Sequence, residues 1–339
     1  MEKLRIGVAG LGRLGKVHAA NIAYKIPNAE LAAVCSIVPA ELDYAKETFG
    51  LGSEKLYADY RDMLKDPDLD AVAIVTTSSE HCWQIEAALD AGKHVFSEKP
   101  LGVDVDQCLL AEAAVARHPE LTFMLGFMRR YDKSYAYAKE KIDAGEIGTP
   151  YLVKATGIDP EALVEGAIAY AATSGGIILD MAVHDIDLMR WFLGSEATEV
   201  YALGATFKHP EFQAAGDDET AVAVYKFENG ALGFLHVGRT APHGYHVETE
   251  IVGTEGSIRI SAVPQKNLAQ VFNKNGVCTE AVGSFPERFD EAYLLEMEEF
   301  VNCALEGRQP DVTVEDGTKS TVVGFATTQA WKSGEVVKI

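Results

Sequence analysis

Leu4-Arg5-Ile6-Gly7-Val8-Ala9-Gly10-Leu11-Gly12-Arg13-Leu14-Gly15 is the stretch that decides the fold. Six residues of buried-strand character lead directly into three glycines spaced G-x-G-x-x-G, and a helical pattern starts behind them. In that context each glycine has a physical task. The first allows a tight turn, the second lets the backbone touch a pyrophosphate, and the third lets the helix approach the strand, while phosphate charge meets the helix amino terminus. Gly10, Leu11, Gly12, Arg13, Leu14 and Gly15 are therefore expected to bind a dinucleotide. A glycine-rich turn with no ligand is the plainer alternative, and the order strand, motif, helix weighs against it.

Working outward, Ala29–Cys35, Ala71–Val75, His94–Phe96 and Leu121–Met124 read as further strands, with helical periodicity between them, as from Cys82 to Ala91. Strand-helix alternation implies a doubly wound parallel sheet, a Rossmann α/β domain over residues 1–124, with its ligand site beyond the carboxyl ends of the strands. After about Gly126 the texture changes. A helix near Tyr135–Ala144 precedes strand candidates at Tyr201–Ala205, Thr220–Phe227, Ala231–Arg239, His246–Val252 and Ser257–Ser261, and helices return at Phe289–Leu305 and Asp316–Trp331. Residues 125–339 are thus expected to form an α+β domain carrying a large, open, mostly antiparallel sheet in a meander. One face of that sheet is free to bury a copy of the same chain, so a homo-oligomer, dimer or tetramer, is expected.

A chain of 339 residues is long enough for two cores and a cleft between them. The formal charge of −21 disfavours a phosphate backbone as partner, and no run of Lys and Arg offsets it, which argues against nucleic acid. No apolar stretch approaches the roughly 20 residues that span a bilayer, so no membrane association is expected. Met1-Glu2-Lys3 leads straight into a strand without a signal-like leader, and a cytoplasmic location is the expectation. Cys35, Cys82, Cys108, Cys278 and Cys303 are widely spaced and lack paired metal-ligand spacing, which reads as reduced and mostly buried thiols.

Two clusters carry chemistry. Glu98-Lys99-Pro100 follows a strand at the carboxyl edge of the sheet, where a lysine would face a nicotinamide; a cis peptide before the proline would aim its ammonium, and a surface Lys-Pro turn is the plainer reading. The second is Ser174 to Asp187. On a helix, Asp180, His184 and Asp187 share one face at i, i+4 and i+7. A histidine beside a carboxylate can accept a hydroxyl proton while hydride leaves the same carbon, and Lys99 would hold the developing alkoxide. A capped helix with a structural histidine is the alternative. A metal site lacks a third His or Cys ligand, and none is expected.

With these motifs in place the chain resembles the glucose-fructose oxidoreductase and inositol dehydrogenase family over nearly its whole length. The likeness rests on the glycine loop with His18, Glu98-Lys99-Pro100, Gly175-Gly176 through Asp180, His184 and Asp187, and Asp316-Gly317. The resemblance implies a nicotinamide-dependent oxidoreductase with Lys99, Asp180 and His184 as its catalytic set, the same three also touching substrate. Gly126-Phe127-Met128-Arg129-Arg130-Tyr131-Asp132 looks most like the inositol 2-dehydrogenase branch. From that likeness Arg129, Asp159 and Tyr293 are implied to contact a cyclic polyol, Arg129 being equally readable as an ion pair, Asp159 as a turn and Tyr293 as a core residue. Cofactor contacts are implied at Thr76, Ser78, His81, Glu98 and Lys99. Two departures stand out: Ser36 replaces the acid that ends the second strand, and Thr76-Thr77-Ser78-Ser79 replaces Thr-Pro-Asn. Without that acid a 2′-phosphate is not repelled, and Arg13 of the glycine loop could approach one, so NADP stays open although NAD comes first; Ser36 is itself a cofactor-contact candidate, with a plain loop serine as the alternative. A sugar or sugar-acid dehydrogenase, or a dinucleotide-sensing regulator without turnover, are the rival readings.

Overall fold

A computed structural model describes residues 3–171, 174–260 and 263–339. The chain divides into two compact units, Met1–Tyr131 with Glu291–Thr321, and Asp132–Asp290 with Val322–Ile339.

The first unit alternates β1 (Leu4–Ala9), α1 (Arg13–Tyr24), β2 (Ala29–Cys35), α2 (Pro39–Phe49), β3 (Leu56–Tyr57), α3 (Tyr60–Leu64), β4 (Ala71–Ile74), α4 (His81–Asp90), β5 (His94–Glu98), α5 (Val105–Arg117) and β6 (Phe123–Gly126). Its six strands are parallel in the order β3-β2-β1-β4-β5-β6. The order reverses between β1 and β4, so the loops after these strands, beginning at Gly10 and Val75, flank the switch-point crevice where such sheets bind ligands. The strands are buried on both faces, as β4 and β6 are throughout, which explains why they read as continuous apolar runs rather than alternating ones. The two-residue edge strand β3 is too short to leave a sequence signal.

The second unit begins with α6 (Lys133–Asp143), β7 (Pro150–Pro160), α7 (Val164–Ala171), α8 (Val183–Leu193), β8 (Ala197–Ala205) and α9 (Glu211–Ala214). It continues with β9 (Thr220–Phe227), β10 (Leu232–Ala241), β11 (His246–Gly253), β12 (Ser257–Ile260), β13 (Gln265–Asn273), β14 (Gly276–Ala281) and α10 (Phe285–Arg288). Then come α11 (Asp290–Glu306), α12 (Val314–Ser333) and β15 (Val337–Lys338). The large sheet runs β12-β11-β7-β10-β9-β8-β15. Predicted β8 to β12 are present, although Ser261 lies outside the described residues. The simple meander is corrected: β7, unforeseen, sits between β10 and β11 and pairs parallel with β10. Its sequence starts and ends in proline and carries Lys154, Gly157 and Asp159, which dilute the strand pattern.

The expected division at 124/125 differs from the contact units by the return of Glu291–Thr321. The cause is the apolar face of α11, whose Met297, Phe300, Val301 and Ala304 join the core of Ile6, Val8, Phe96 and Met124. Met297, Phe300 and Val301 each contribute about 1.5–3 kcal/mol on burial. Asp316-Gly317 belongs to the same closure: Asp316 pairs with Arg130 at 3.0 Å, and a Cβ on Gly317 would come within 2.7 Å of Leu125. All five cysteines are unbridged and four are buried. No helix among the described residues is long and apolar enough to cross a membrane.

Candidate active site

Gly10 has φ +86°, and a Cβ there would stand 2.5 Å from the Val75 carbonyl oxygen; one on Gly15 would collide with the Gly10 carbonyl. Gly12 differs, with nothing within 4 Å of its would-be Cβ. It is the N-cap of α1 and makes no side-chain capping bond, and no acidic residue lies in the first turn. The loop therefore offers open space over helix N–H groups, a cradle that fits a pyrophosphate.

At the end of β2, Ser36 is buried. Its hydroxyl donates to Glu41 Oε2 at 2.5 Å and accepts from the Val38 amide at 3.0 Å. Glu41 lies in the first turn of α2. The carboxylate missing at position 36 is thus brought back from five residues along the chain and held by the residue that replaced it. Ile37, 89% exposed, and Val38 leave apolar surface between the two.

After β4, Thr76 Oγ1 donates to Gln84 Oε1 at 2.6 Å, and Ser78 is buried in the short 3-10 turn Ser78–Glu80. His81 opens α4 with Nδ1 2.8 Å from the Pro100 carbonyl and Nε2 3.2 Å from that of Thr76. Burial lowers its pKa although two carbonyls face the ring. A neutral His81 donates through one nitrogen, and the shorter bond ties α4 to the Lys99-Pro100 turn. That peptide bond is cis. Glu98 is buried, its Oε2 accepting the Lys99 amide at 3.1 Å and its Oε1 lying 2.9 Å from His18 Nε2. Glu296, also buried, joins them: His18, Glu98 and Glu296 place one ligand-type atom each within 4.8 Å of one another. Arg129 is buried in the turn Met128–Tyr131, and Tyr293, on α11, sets its ring edge-on to His18 at 5.8 Å.

The second unit holds the other cluster. Gly175 and Gly176 adopt φ +82° and +81°, and Asp217 Oδ1 accepts the Ile177 amide at 2.9 Å, fixing the start of the helical segment. The expectation of one continuous α-helical face is corrected here. Ile178–Ala182 is a π-helical turn and α8 begins at Val183, so Asp180 sits in a widened turn, out of the α-helical phase of His184 and Asp187. Asp180 Oδ2 meets Arg239 Nη1 of β10 at 3.1 Å, while Arg239 Nη2 lies 3.5 Å from Asp217. Burial raises the Asp217 pKa, opposed by the Ile177 amide and Arg239. Arg239 also covers the Phe212 ring. His184 and Asp187 are both buried on α8. Asp159 lies one residue before the end of β7, half-buried.

The first unit thus carries the glycine loop, Ser36, Thr76, Ser78, His81, Glu98, Lys99, Arg129 and Tyr293, and the second carries Asp180, His184 and, on β7, Asp159. Sequence reading missed Glu41, Arg239, Asp217 and Glu296. Only Glu296 had a legible signal: it is an acid on the apolar stripe formed by Tyr293, Met297, Phe300 and Val301.

A Rossmann sheet with an open glycine cradle, and a second unit bearing Asp180 and His184 on one helical segment beside a broad sheet, define a two-unit dinucleotide-dependent oxidoreductase. Residues 4–127 match the oxidoreductase family with an NAD-binding Rossmann fold, and residues 135–259 match the GFO/IDH/MocA C-terminal domain. The chain belongs to the GFO/IDH/MocA family. It is 37% identical over 338 residues to scyllo-inositol 2-dehydrogenase (NAD(+)) of Bacillus subtilis, covering 100% of this chain and 97% of that protein. Among solved structures it is similar to scyllo-inositol dehydrogenase from Lactobacillus casei with bound NAD(H) and scyllo-inositol, at 45% identity, TM-score 0.96 and 99% coverage of both chains. Myo-inositol 2-dehydrogenase from Lactobacillus plantarum matches at 40% identity, TM-score 0.97 and 100% coverage of both.

Proposed function

We propose that this chain is an NAD-dependent inositol 2-dehydrogenase, oxidising one ring hydroxyl of scyllo- or myo-inositol to a ketone. The observation that carries the reading is end-to-end similarity to an enzyme solved with NAD(H) and scyllo-inositol. Bound NAD supplies the hydride acceptor. The glycine loop at α1 receives its pyrophosphate, and Glu41, steadied by Ser36, accepts from the adenosine ribose hydroxyls while repelling a 2′-phosphate. NAD is therefore the cofactor favoured over NADP.

His184 accepts the substrate hydroxyl proton, and Asp180, steadied by Arg239, keeps negative charge near it to support the imidazolium that forms. Lys99 donates to a substrate hydroxyl and stabilises its developing negative charge, with Glu98 and His81 setting the turn on which it stands. Arg129, Asp159 and Tyr293 are assigned to the remaining polyol hydroxyls. The open sheet buries a second copy of the chain.

Lys99→Ala and His184→Ala should each lower kcat by about 10²–10⁴-fold, with NADH affinity unchanged by fluorescence titration. Initial rates at 340 nm across inositols, glucose, xylose and gluconate test the substrate class. Turnover confined to pyranoses selects a sugar dehydrogenase, and NADH binding with no turnover on any of them selects a sensor.

A further inference from the structure

Glu296 is fully buried, and neither of its carboxylate oxygens meets a hydrogen-bond partner among the described residues. The titratable groups facing it are His18 of α1, Glu98 of β5, Tyr131 after β6 and Tyr293 on its own helix. Aromatic rings pack against the cluster, with the Phe96 ring 5.1 Å from His18 and Phe300 behind Phe96 at 5.9 Å. A glycine makes room for the arrangement: a Cβ on Gly126 would stand 3.3 Å from the Glu98 carboxylate.

Two carboxylates within 4.8 Å of each other in such a place do not both ionise. Glu98 has donors on both oxygens, the His18 ring at 2.9 Å and the Lys99 amide at 3.1 Å, whereas Glu296 has none. The negative charge therefore belongs on Glu98 and the proton on Glu296. Burial, and then the charge of Glu98, push the Glu296 pKa well above the usual carboxylate range.

We propose that Glu296 is a positioning residue: as a buried carboxylic acid it lets Glu98 remain the doubly hydrogen-bonded anion that fixes the main chain at Lys99 for chemistry on the substrate hydroxyl. The proposal rests on the assignment of Lys99 above. Alkali removes the Glu296 proton to solvent and leaves two adjacent anions. Repulsion then draws Glu98 away from His18 and the Lys99 amide.

The test is Glu296→Gln in the full chain, a neutral side chain of the same shape. Unfolded glutamate ionises near pH ~4.3 while folded Glu296 keeps its proton higher, so the wild type loses stability as pH rises through that window and the variant does not. The ratio of their unfolding constants should move in favour of E296Q by about tenfold per pH unit above that value, until folded Glu296 itself ionises. In the pH profile of kcat for inositol oxidation, the wild type should show an alkaline decline that E296Q lacks, with KM values for NAD and inositol alike.

Parallel stability curves, or failure of E296Q to fold, would overturn the neutral acid. A stability shift with identical pH-rate profiles would leave the cluster purely structural and overturn the positioning role. Loss of wild-type stability in EDTA, restored by Zn²⁺ or Mn²⁺ and missing in E296Q, would replace the shared proton with a cation site. Absence of inositol turnover in the wild type would overturn the function reading alone, because the stability curves do not depend on it.

Discussion

In the proposed cofactor site a carboxylate keeps its place while changing its address in the sequence, through the bond between Ser36 and Glu41. The hydroxyl holds Glu41 Oε2 at 2.5 Å, so negative charge stands at the end of β2 although the residue that ends it is neutral. Glu41→Ala should tighten NADPH relative to NADH by about tenfold, the effect of one unfavourable interaction of ~1.4 kcal/mol. Titration of both reduced cofactors by protein-enhanced fluorescence measures it, and an unchanged ratio would remove Glu41 from the site. At this scale the sequence exposed residues with fixed motif spacing: the glycine loop, Lys99 and His184. It concealed those that act through folded neighbours. Arg239 lies 59 residues from Asp180 and reads in isolation as the end of a strand.

The π-helical turn is where element-level inference from spacing failed, and its neighbours show why. Asp217 takes the Ile177 amide at its start, and Arg239 on β10 grips Asp180 at its middle, so tertiary bonds hold the turn at both points. The i, i+4, i+7 rule describes one uninterrupted α-helix and has no means of foreseeing an inserted residue. Arg239→Met should cost about 3–5 kcal/mol in urea denaturation, since it strands Asp217 in the interior without its cation. It should also lower kcat more than it raises KM, because it frees Asp180 rather than a substrate contact; a loss below ~1 kcal/mol would mean that the pair is weakly coupled. β7 was illegible for a related reason. Its place comes from pairing with β10 and β11, whereas its own residues alternate only weakly and are bounded by prolines.

For the whole molecule, the two-unit plan was readable because strand-helix alternation and turn-separated strands are different patterns along the chain. The large sheet presents Leu203, Val222, Val224, Leu232 and Phe234 outward, where a monomer would place polar side chains. Val224→Lys should shift the protein to a smaller species in light scattering while leaving its far-ultraviolet circular dichroism unchanged. An unaltered mass would remove this face from the proposed assembly. The feature that sequence texture hid is the return of Glu291–Thr321 to the first unit, and it bears on how the protein is born. As the chain leaves the ribosome, the nascent sheet has emerged by Tyr131 but lacks Met297, Phe300 and Val301 from its core. At typical elongation rates it waits on the order of ten to thirty seconds for them, while Asp132–Asp290 of the second unit is translated. Its unsealed apolar surface is thus a natural client for a holding chaperone, and Glu296 is the last member of its cluster to arrive.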